Sequence, residues 1–340
     1  MKIAYLVPDS AVSGGQRVIF QQAEGLARRG VTVTLVSPAP PPNWFPLKGC
    51  RWEQAESFGP ETLEASDAVV ATFWTTVLPA VRTARGPVFH LSQGYEADFT
   101  FYAHQRSEIR ATYALPTRKL AISPHVRSRL TEEGYGPVAF IGQVFDADEF
   151  PPLRQRSFTT PAPRILVVGT FEADVKGIRE ALQALQAARA NGVSFRLVRV
   201  STTPQCDEEL GFGLAEEYLL SLHPAQMSAT YRSTDLLVGP SHPEEGFDLP
   251  VLEALSSGLP TLLSDTPGHR HSAGAAAEYF SSGSVSSLLS ALNAILSDPI
   301  RRRRLSELGP AAASRFRTED VVDRLIEQFE QAIATRVRAS

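Results

Sequence analysis

The chain has 340 residues, a length that predicts two domains, each with a core of its own. A formal net charge of −4 at pH 7 argues against the strongly basic character of proteins that bind nucleic acid or membranes through electrostatics. Cys50 and Cys206 are far apart and outside any C-x-x-C pattern, so we expect free thiols in a reducing compartment rather than a disulfide framework.

The first half of the chain predicts strands that alternate with helices. The N-terminal run KIAYLV is too short for a signal sequence or a membrane span, so it predicts a first strand and a cytoplasmic protein. Val18, Ile19, Ala23 and Leu26 then recur at helical spacing, and Gly30 ends that helix. Further strands are predicted at VTVTLVSP, DAVVATF, PVFHLS and RKLAIS. Short apolar strands between helices indicate a parallel sheet that helices cover on both faces.

The second half repeats this pattern after a cluster of proline and polar residues at 151–163, which predicts a linker. Strands are predicted at RILVVGTF, SFRLVRVS, DLLVGPS and PTLLSD, and a last helix is predicted at about 318–336. The expected fold is α/β, with two Rossmann-like, doubly wound domains at 1–155 and 156–315 that face a cleft, and a C-terminal helix within 316–340. Ligands of such sheets lie beyond the carboxyl ends of the strands.

Two glycine-containing loops follow predicted strands. The loop SAVSGGQR places Gly14 and Gly15 at the start of a helix, where backbone N–H groups could bind an anion; a tight turn without a ligand is an equally good interpretation. It matches neither the G-x-G-x-x-G dinucleotide pattern nor the G-x-x-x-x-G-K-[ST] phosphate loop. The loop VVGTFEADVKG places Gly169 at a strand end and Lys176 at the start of the next helix. A cation is unfavourable there unless an anion is nearby, and a solvated lysine is the alternative.

Residues 240–265, PSHPEEGFDLPVLEALSSGLPTLLSD, place two carboxylates around the start of a helix. Glu245 is predicted on a loop after a buried strand, and Glu253 in the first turn of a helix that begins near Pro250. The N–H groups of residues 246–249 and the helix dipole favour an anion at this point. Because carboxylates accept hydrogen bonds from hydroxyls, the pair suits a ligand with a phosphate and many hydroxyls. Stabilisation of the helix N-terminus is the alternative, and it fits Glu253 better than Glu245.

The segment EGFDLPVLEALSSGLP resembles the E-x7-E signature of retaining glycosyltransferases of family 4, which have the GT-B fold, with Glu245 and Glu253 at its two acids. The segments SGGQRVIFQQAEGLARRG, VVGTFEADVKGIREAL, LAISPHVRSRL and SDPIRRRRLSELGPAAASRF are also similar to that family, so the resemblance covers nearly the whole chain. It implies a retaining, metal-independent enzyme that moves a hexosyl or deoxyhexosyl group from a nucleotide-diphosphate sugar to a hydroxyl of a glycan, lipid or natural product. It implies no cofactor besides this co-substrate and no nucleic-acid partner, and nothing indicates membrane contact.

The resemblance also implies a role for individual residues. Glu245 would lie against the hydroxyls of the donor sugar, Glu253 would hold the ribose hydroxyls, and Lys176 would neutralise the diphosphate. The loop at Gly14 and Gly15 would approach the phosphate from the acceptor side, and the C-terminal helix would cross back onto the N-terminal domain. The predicted catalytic residues are Glu245, Lys176 and Gln93, and the predicted donor-binding residues are Gly14, Gly15, Gly169, Thr170, Lys176, Glu245, Gly246, Phe247, Asp248, Leu249 and Glu253.

Three positions depart from the pattern of the family. Thr170 stands where an arginine is usual, which removes one of two cations at the diphosphate unless Arg17 or Arg199 compensates. Gln93 stands where a histidine is frequent, and a glutamine can position hydroxyls but cannot shuttle a proton. Asp248 replaces a glycine, and it either selects a hydroxyl or amine of the donor or faces solvent.

Weaker signals receive structural interpretations. The D-x-D pattern at 146–148 precedes the predicted linker, so no metal is expected there. The arginine run at 301–304 predicts a solvated helix face. His90 is expected to be structural, and His269 and His271 are predicted in a loop after a strand, without the spacing of helical metal ligands.

The departures from the family leave an alternative function. Thr170 and Gln93 are also consistent with a catalytically weak GT-B subunit that binds a nucleotide sugar or a partner without transfer. An epimerase or a phosphorylase on the same fold is a further alternative. A dinucleotide oxidoreductase would need the missing G-x-G-x-x-G pattern.

Overall fold

A computed structural model describes residues 1–63, 66–153 and 155–339. The chain divides into two compact units, one formed by residues 1–145 with 316–340 and the other by residues 146–315. Each unit contains one parallel sheet whose strands are connected mostly through helices, so the predicted α/β class with two doubly wound sheets is confirmed. Arg154, inside the predicted linker, lies outside the described residues.

The first unit is built on a seven-stranded parallel sheet. Its strands β1 to β7 are Lys2–Leu6, Thr32–Ser37, Arg51–Gln54, Ala68–Ala71, Val88–Ser92, Arg118–Ala121 and Val138–Phe140. They lie in the order β3-β2-β1-β4-β5-β6-β7. Helices α1 to α5 are Gly14–Arg28, Pro60–Leu63, Trp74–Thr83, Arg106–Tyr113 and Pro124–Glu132, and the C-terminal helix of the chain is Thr318–Ala339.

The C-terminal helix packs on the first unit through its apolar face. Val322 and Phe329 are buried, and the ring of Phe329 meets that of Phe89 edge to face with centroids 4.9 Å apart. Gly25 of α1 lies so close that a Cβ atom there would be 2.4 Å from Cγ2 of Val322. Arg29, just after α1, also pairs with Asp323 of the C-terminal helix at 2.8 Å. The apolar period seen in the sequence therefore corresponds to the face that this helix buries against α1 and the sheet.

The second unit is built on a six-stranded parallel sheet. Its strands β8 to β13 are Arg164–Val168, Arg196–Ser201, Ala215–Leu220, Leu236–Gly239, Thr261–Ser264 and Glu278–Phe280. They lie in the order β10-β9-β8-β11-β12-β13. Helices α6 to α12 are Ile178–Ala190, Asp207–Gly211, Pro224–Ser233, Leu249–Ser256, Pro267–Ala273, Val285–Ser297 and Pro299–Ala313.

The segment from residue 146 to 153 belongs to the second unit because α9 and the residue after it hold its backbone. Ser256 Oγ donates a hydrogen bond to the carbonyl of Phe150 at 2.9 Å, and the amide of Leu153 donates to the carbonyl of Ser257 at 3.3 Å. The division between the units therefore precedes the proline-rich segment, whereas the sequence placed it within that segment.

Both sheets reverse their winding direction between two central strands, β1 and β4 in the first unit and β8 and β11 in the second. Beyond the carboxyl ends of such strands, the loops diverge and leave a crevice in which ligands of doubly wound sheets bind. The loops after these four strands are therefore the places to look for a site. Within the described residues, no helix combines the length and the apolar character needed to cross a membrane.

Candidate active site

In the second unit, the loops after β8 and β11 lie against each other at the switch point. The amide of His242, after β11, donates a hydrogen bond to the carbonyl of Val175, after β8, at 2.8 Å. Gly177 makes this approach possible, because its φ of 61° is left-handed and a Cβ atom would lie 2.3 Å from the carbonyl oxygen of Pro240. The contact fixes the 3₁₀ turn at Asp174–Lys176 beside the loop that leads into α9.

Lys176 lies between two carboxylates of that second loop. Its Nζ is 3.1 Å from Oε2 of Glu245 and 3.5 Å from Oδ1 of Asp248. The side chains of Lys176 and Glu245 keep 24% and 19% of their surface exposed, whereas Asp248 keeps 6%. The lysine does not begin a helix as predicted, because it ends the 3₁₀ turn and α6 begins two residues later at Ile178. The expectation that an anion accompanies this lysine is met by the two protein carboxylates.

These contacts shift the pKa of each group in the cluster. Burial acts to lower the pKa of Lys176, but Asp248 and Glu245 outweigh it and raise that pKa. Burial acts to raise the pKa of Asp248, but Lys176 and hydrogen bonds from His269 and Ser241 outweigh it and hold the pKa below its ordinary value. Burial raises the pKa of Glu245, and this upward shift persists against the opposing charge of Lys176. Asp248 is therefore the firmly ionised partner of the lysine.

Asp248 is buried, so the alternative of a solvent-facing aspartate is wrong. Its Oδ2 accepts a hydrogen bond from Ser241 Oγ at 2.8 Å and lies 3.4 Å from Nε2 of His269. His269 lies in α10, not in a loop as predicted, and its Nδ1 is 2.9 Å from the carbonyl oxygen of Ser264. Thr266 caps this helix by accepting from the amide of His269, which is how the sequence TPGHR begins a helix directly after β12.

Glu253 lies in α9 but not in its first turn, because the helix begins at Leu249 and contains no acidic residue in that turn. It is buried and accepts a hydrogen bond from the hydroxyl of Tyr231 in α8 at 2.8 Å. Glu245 and Glu253 therefore differ in environment, since Glu245 contacts a cation and Glu253 contacts a phenol.

The N-terminus of α9 is the part of this site suited to an anion. Asp248 occupies the N-cap position, and within the described residues its side chain makes no capping hydrogen bond to the helix. The first N–H groups of a helix have no partner inside the helix, and with the helix dipole they attract negative charge. Phe247 and Leu249 are buried on either side of the cap. The ring of Phe247 lies beside that of His271, with centroids 6.4 Å apart.

Gly169 and Thr170 follow β8, but the arginine beneath them is structural. Arg199 is fully buried; its guanidinium pairs with Glu209 at 2.7 Å and donates to the carbonyl of Gly169 at 2.8 Å. The hypothesis that Arg199 supplies the charge missing at Thr170 is therefore wrong, because its donors are already directed at the sheet and at Glu209. Arg17 is buried in α1 of the first unit.

In the first unit, Gly14, Gly15 and Gln93 meet beside the other switch point. Ser13 caps α1 by accepting from the amide of Gln16 at 3.1 Å, so Gly14 and Gly15 form its first turn. Nε2 of Gln93, which directly follows β5, donates to the carbonyl of Gly15 at 3.0 Å. The predicted glycine loop and the predicted catalytic glutamine are therefore neighbours, although they lie 78 residues apart in the sequence.

A buried cluster behind Gln93 was missed by the sequence analysis. Glu96, in the 3₁₀ turn after β5, is buried and accepts a hydrogen bond from the hydroxyl of Tyr113 at 2.5 Å. Burial raises the pKa of Glu96 to about 7. His90 packs on Tyr113 with ring centroids 4.3 Å apart, and burial lowers its pKa to about 3, as befits the predicted structural role.

The weaker sequence signals have mixed outcomes. Asp146 accepts from the amide of Asp148 at 3.0 Å and so caps a 3₁₀ turn. The arginine run is not uniformly solvated, because Arg302 is buried and donates to the carbonyls of Ile295 and Phe158. That face of α12 therefore includes an internal hydrogen-bonding residue, and the prediction of a solvated face is wrong for Arg302.

The sequence of this chain is similar to the sequences of known glycosyltransferases. Residues 162–298 match the family model described as glycosyl transferases group 1. The chain is 23% identical to the phosphatidyl-myo-inositol mannosyltransferase of Mycobacterium leprae (strain TN) over an alignment of 370 positions, gaps included, which covers 97% of this chain and 96% of that relative.

Two solved structures show the same fold over the whole chain. HepE of Anabaena in complex with UDP-glucose is similar with a TM-score of 0.79 at 14% identity, covering 97% of this chain and 100% of that one. Sucrose-phosphate synthase from Thermosynechococcus elongatus is similar with a TM-score of 0.76 at 16% identity, covering 98% and 99%. The chain is therefore a glycosyltransferase with a GT-B fold, and residues 162–298 of its second unit are similar to the group 1 glycosyl transferases.

Proposed function

We propose that this glycosyltransferase is a retaining, metal-independent member of family 4 that moves a sugar from a nucleotide-diphosphate sugar to a hydroxyl of an acceptor. The observation that carries the proposal is the meeting of Lys176, Glu245 and Asp248 at the N-terminus of α9, on the switch point of the second sheet. A nucleotide sugar has a diphosphate for the ammonium and the helix N-terminus, and hydroxyls for the carboxylates.

Each proposed donor contact follows from the chemistry of the side chain. Lys176 neutralises the diphosphate, and the first N–H groups of α9, with the loop at Gly246 to Leu249, bind its oxygens. Glu245 accepts hydrogen bonds from the hydroxyls of the sugar. Glu253, held by the hydroxyl of Tyr231, accepts from the ribose. Gly169 and Thr170, which directly follow β8, line one side of the proposed donor site.

In the proposed reaction, the bond between the anomeric carbon and the diphosphate oxygen breaks as the acceptor oxygen attacks from the same face of the sugar. The leaving diphosphate oxygen accepts the proton of the acceptor hydroxyl, so the reaction needs no side-chain nucleophile. Catalysis then consists of positioning the two substrates and stabilising the charge that develops on the diphosphate. Gln93 and the loop at Gly14 and Gly15 are proposed to act on the acceptor side in the first unit.

The acceptor is proposed only as a hydroxyl compound. The similar protein of Mycobacterium leprae is named for phosphatidyl-myo-inositol and for mannosyl transfer, and a similar protein of Nocardia farcinica is named for D-inositol 3-phosphate. HepE of Anabaena was solved with UDP-glucose. These names select the first compounds to try: UDP- and GDP-linked hexoses as donors, with myo-inositol and its phosphates beside glycans and lipid alcohols as acceptors.

A binding and turnover experiment tests this function. Thermal unfolding is followed with UDP, GDP, dTDP, ADP and their sugar conjugates, and hydrolysis or transfer is followed by nucleotide release. One nucleotide family should stabilise the protein, by about 2.7 kcal/mol at a hundredfold excess over Kd. Lys176→Met should lose this effect, whereas Lys48→Met, at an exposed position of the first unit, should keep it. Stabilisation by no nucleotide would refute the donor site.

Stereochemistry and metal dependence test the finer parts of the proposal. Proton NMR of the product should show the anomeric configuration of the donor, and an inverted product would contradict the retaining mechanism. Activity should be unchanged after chelation with EDTA, and loss of activity that added Mg²⁺ or Mn²⁺ restores would contradict metal independence.

A further inference from the structure

The ammonium of Lys176 is already paired with carboxylates of the protein, so we ask how it could also bind the anion of a ligand. Two carboxylates, Glu245 and Asp248, contact its ammonium, and Asp248 is buried and held by Ser241. Thr170, on the other loop of the site, brings no charge. A diphosphate adds further negative charge to a cluster in which carboxylates already outnumber the lysine. Another positive charge close to Asp248 would allow Lys176 to serve the diphosphate instead.

His269 is placed to carry that charge. Its Nδ1 is 2.9 Å from the carbonyl oxygen of Ser264, which can only accept, so Nδ1 carries a hydrogen. The hydroxyl of Ser264 donates to the carbonyl of Ser241 and therefore also presents an acceptor to Nδ1, at 3.1 Å. A neutral ring would then direct the lone pair of Nε2 at the Asp248 carboxylate, 3.4 Å away. Protonation of Nε2 replaces this repulsion with an ion pair.

We propose that His269 is a positioning residue that acts through Asp248: as an imidazolium it neutralises Asp248, and this frees the ammonium of Lys176 to bind the diphosphate of a nucleotide. The inference rests on the proposed donor site and adds a residue that the sequence resemblance does not include. His269 does not touch the nucleotide in this scheme. Binding of the nucleotide instead depends on the charge of a buried ring behind the lysine.

The other charged groups around His269 do not replace it in this role. On the site side, the charged groups are Asp248, Lys176 and Glu245, and the charge of His269 lowers the pKa of both carboxyl groups. On the solvent side, Arg270 is paired with Asp265 at 2.7 Å.

The groups on the carbonyl side of α10 are also occupied elsewhere. The hydroxyl of Tyr279, from β13, donates to the carbonyl of His269 and not to its ring. Arg315 donates to the carbonyl of His271, and burial, with the charge of Arg315, lowers the pKa of His271. Asp248 is itself buried, so bulk water does not solvate its carboxylate in place of His269.

The test uses UDP as the probe, or whichever of GDP, dTDP and ADP stabilises the full-length protein, because a probe without a sugar avoids any contact between Asp248 and the donor sugar. The dissociation constant is measured by calorimetry from pH 5.5 to 8.5. In the wild-type protein, affinity should fall as pH rises, by roughly tenfold to a hundredfold for the loss of one charge-assisted contact.

Variants distinguish the pH dependence of affinity that comes from the ring of His269 from the part that comes from the nucleotide. His269→Gln should bind the nucleotide weakly at every pH, and its residual slope should reflect only the titration of the terminal phosphate, near pH 6. His104→Gln, at an exposed histidine of the first unit, should keep the wild-type affinity and profile. Asp248→Asn removes the charge that His269 neutralises, so it should bind at least as tightly as wild type at pH 8 and lose the ring-dependent slope.

The double variant distinguishes electrostatic positioning from a merely structural role. His269→Gln with Asp248→Asn should recover the affinity that His269→Gln loses. A double variant as weak as the single one, or a His269→Gln variant with the wild-type profile, would overturn the inference while leaving the donor site intact. If His269→Gln does not fold, Asp248→Asn decides alone, because weaker binding at pH 8 would refute the scheme. Failure of all four nucleotides to bind wild type would refute the donor site and the inference together.

Discussion

Substitution of Gly177 tests whether the contact between the two loops of the second unit builds the donor site. Gly177 and Gly192 flank the same helix, α6, and both have left-handed φ, 61° and 85°. Alanine at either position destabilises the folded protein by about 1 kcal/mol, because its Cβ atom is strained at a left-handed φ. They differ in space, because a Cβ at Gly177 would lie 2.3 Å from the carbonyl of Pro240, whereas a Cβ at Gly192 meets no described atom within 4 Å.

Relief of the clash in Gly177→Ala requires a displacement of about 1 Å, which separates the loops. The hydrogen bond between His242 and Val175 would be lost at a cost of about 1 kcal/mol, and the pairing of Lys176 with Glu245 would be lost with it. We therefore expect Gly177→Ala to lower the free energy of unfolding by about 2–4 kcal/mol.

Urea denaturation and nucleotide titration measure the two consequences of the substitution. Gly192→Ala should lose about 1 kcal/mol of stability and retain nucleotide binding. Gly177→Ala should lose more stability and bind the nucleotide at least tenfold more weakly, since Lys176 no longer faces the N-terminus of α9. Equal destabilisation by the two variants, with unchanged nucleotide affinity in Gly177→Ala, would refute this reasoning.

Three further substitutions address the core, a buried ion pair and a buried acid. Phe329→Ala should cost about 3–5 kcal/mol in chemical denaturation, because it empties the contact between the C-terminal helix and the first sheet, whereas exposed Glu330→Ala should be nearly neutral. Arg199→Met should cost about 3–5 kcal/mol, because it leaves Glu209 buried without its cation; a loss under 1 kcal/mol would contradict this. Since burial raises the pKa of Glu96 to about 7, its contribution to stability should be complete below about pH 4.5 and fall as pH rises towards 7. Denaturation across this range should show a decline that Glu96→Gln lacks, and an identical decline in both proteins would contradict the buried acid.

The strands that the sequence predicted are the interior strands of both sheets. It missed β3, β7, β10 and β13, which are the four edge strands. A central strand of a parallel sheet is covered on both faces and is a continuous apolar run, as in the fully buried β4 and β11. The edge strands are half-buried, and RWEQ in β3 and AEEYLL in β10 lack such a run. Their positions follow from pairing with a neighbour, which local composition does not encode.

The candidate site was predictable residue by residue, but its internal pairing was not. Lys176 and Glu245 were identified from loops and helix starts, and Asp248 was identified as a departure from the pattern of the family. Their contacts nevertheless join positions about 70 residues apart and depend on β8 lying beside β11. His269 was assigned to a loop, although the TPG sequence before it is a helix start with Thr266 as cap. Ser241 and Ser264 were missed by the sequence analysis, as was Glu96. Each lies at or just after the carboxyl end of a buried strand, and that position was the available signal.

Two ion pairs of the second unit differ in how much of their surface remains exposed. Arg199 and Glu209 are almost completely buried, and the arginine directs other donors at backbone carbonyls of the sheet, so the pair is not accessible to a ligand. Lys176 and Glu245 stay partly exposed beside a helix N-terminus. Because buried charges cost more in desolvation than they return unless all partners are satisfied, a cluster that stabilised only the fold would close as Arg199 does. The partly exposed cluster at Lys176 instead fits the proposed donor site, in which the diphosphate of the substrate is the remaining partner.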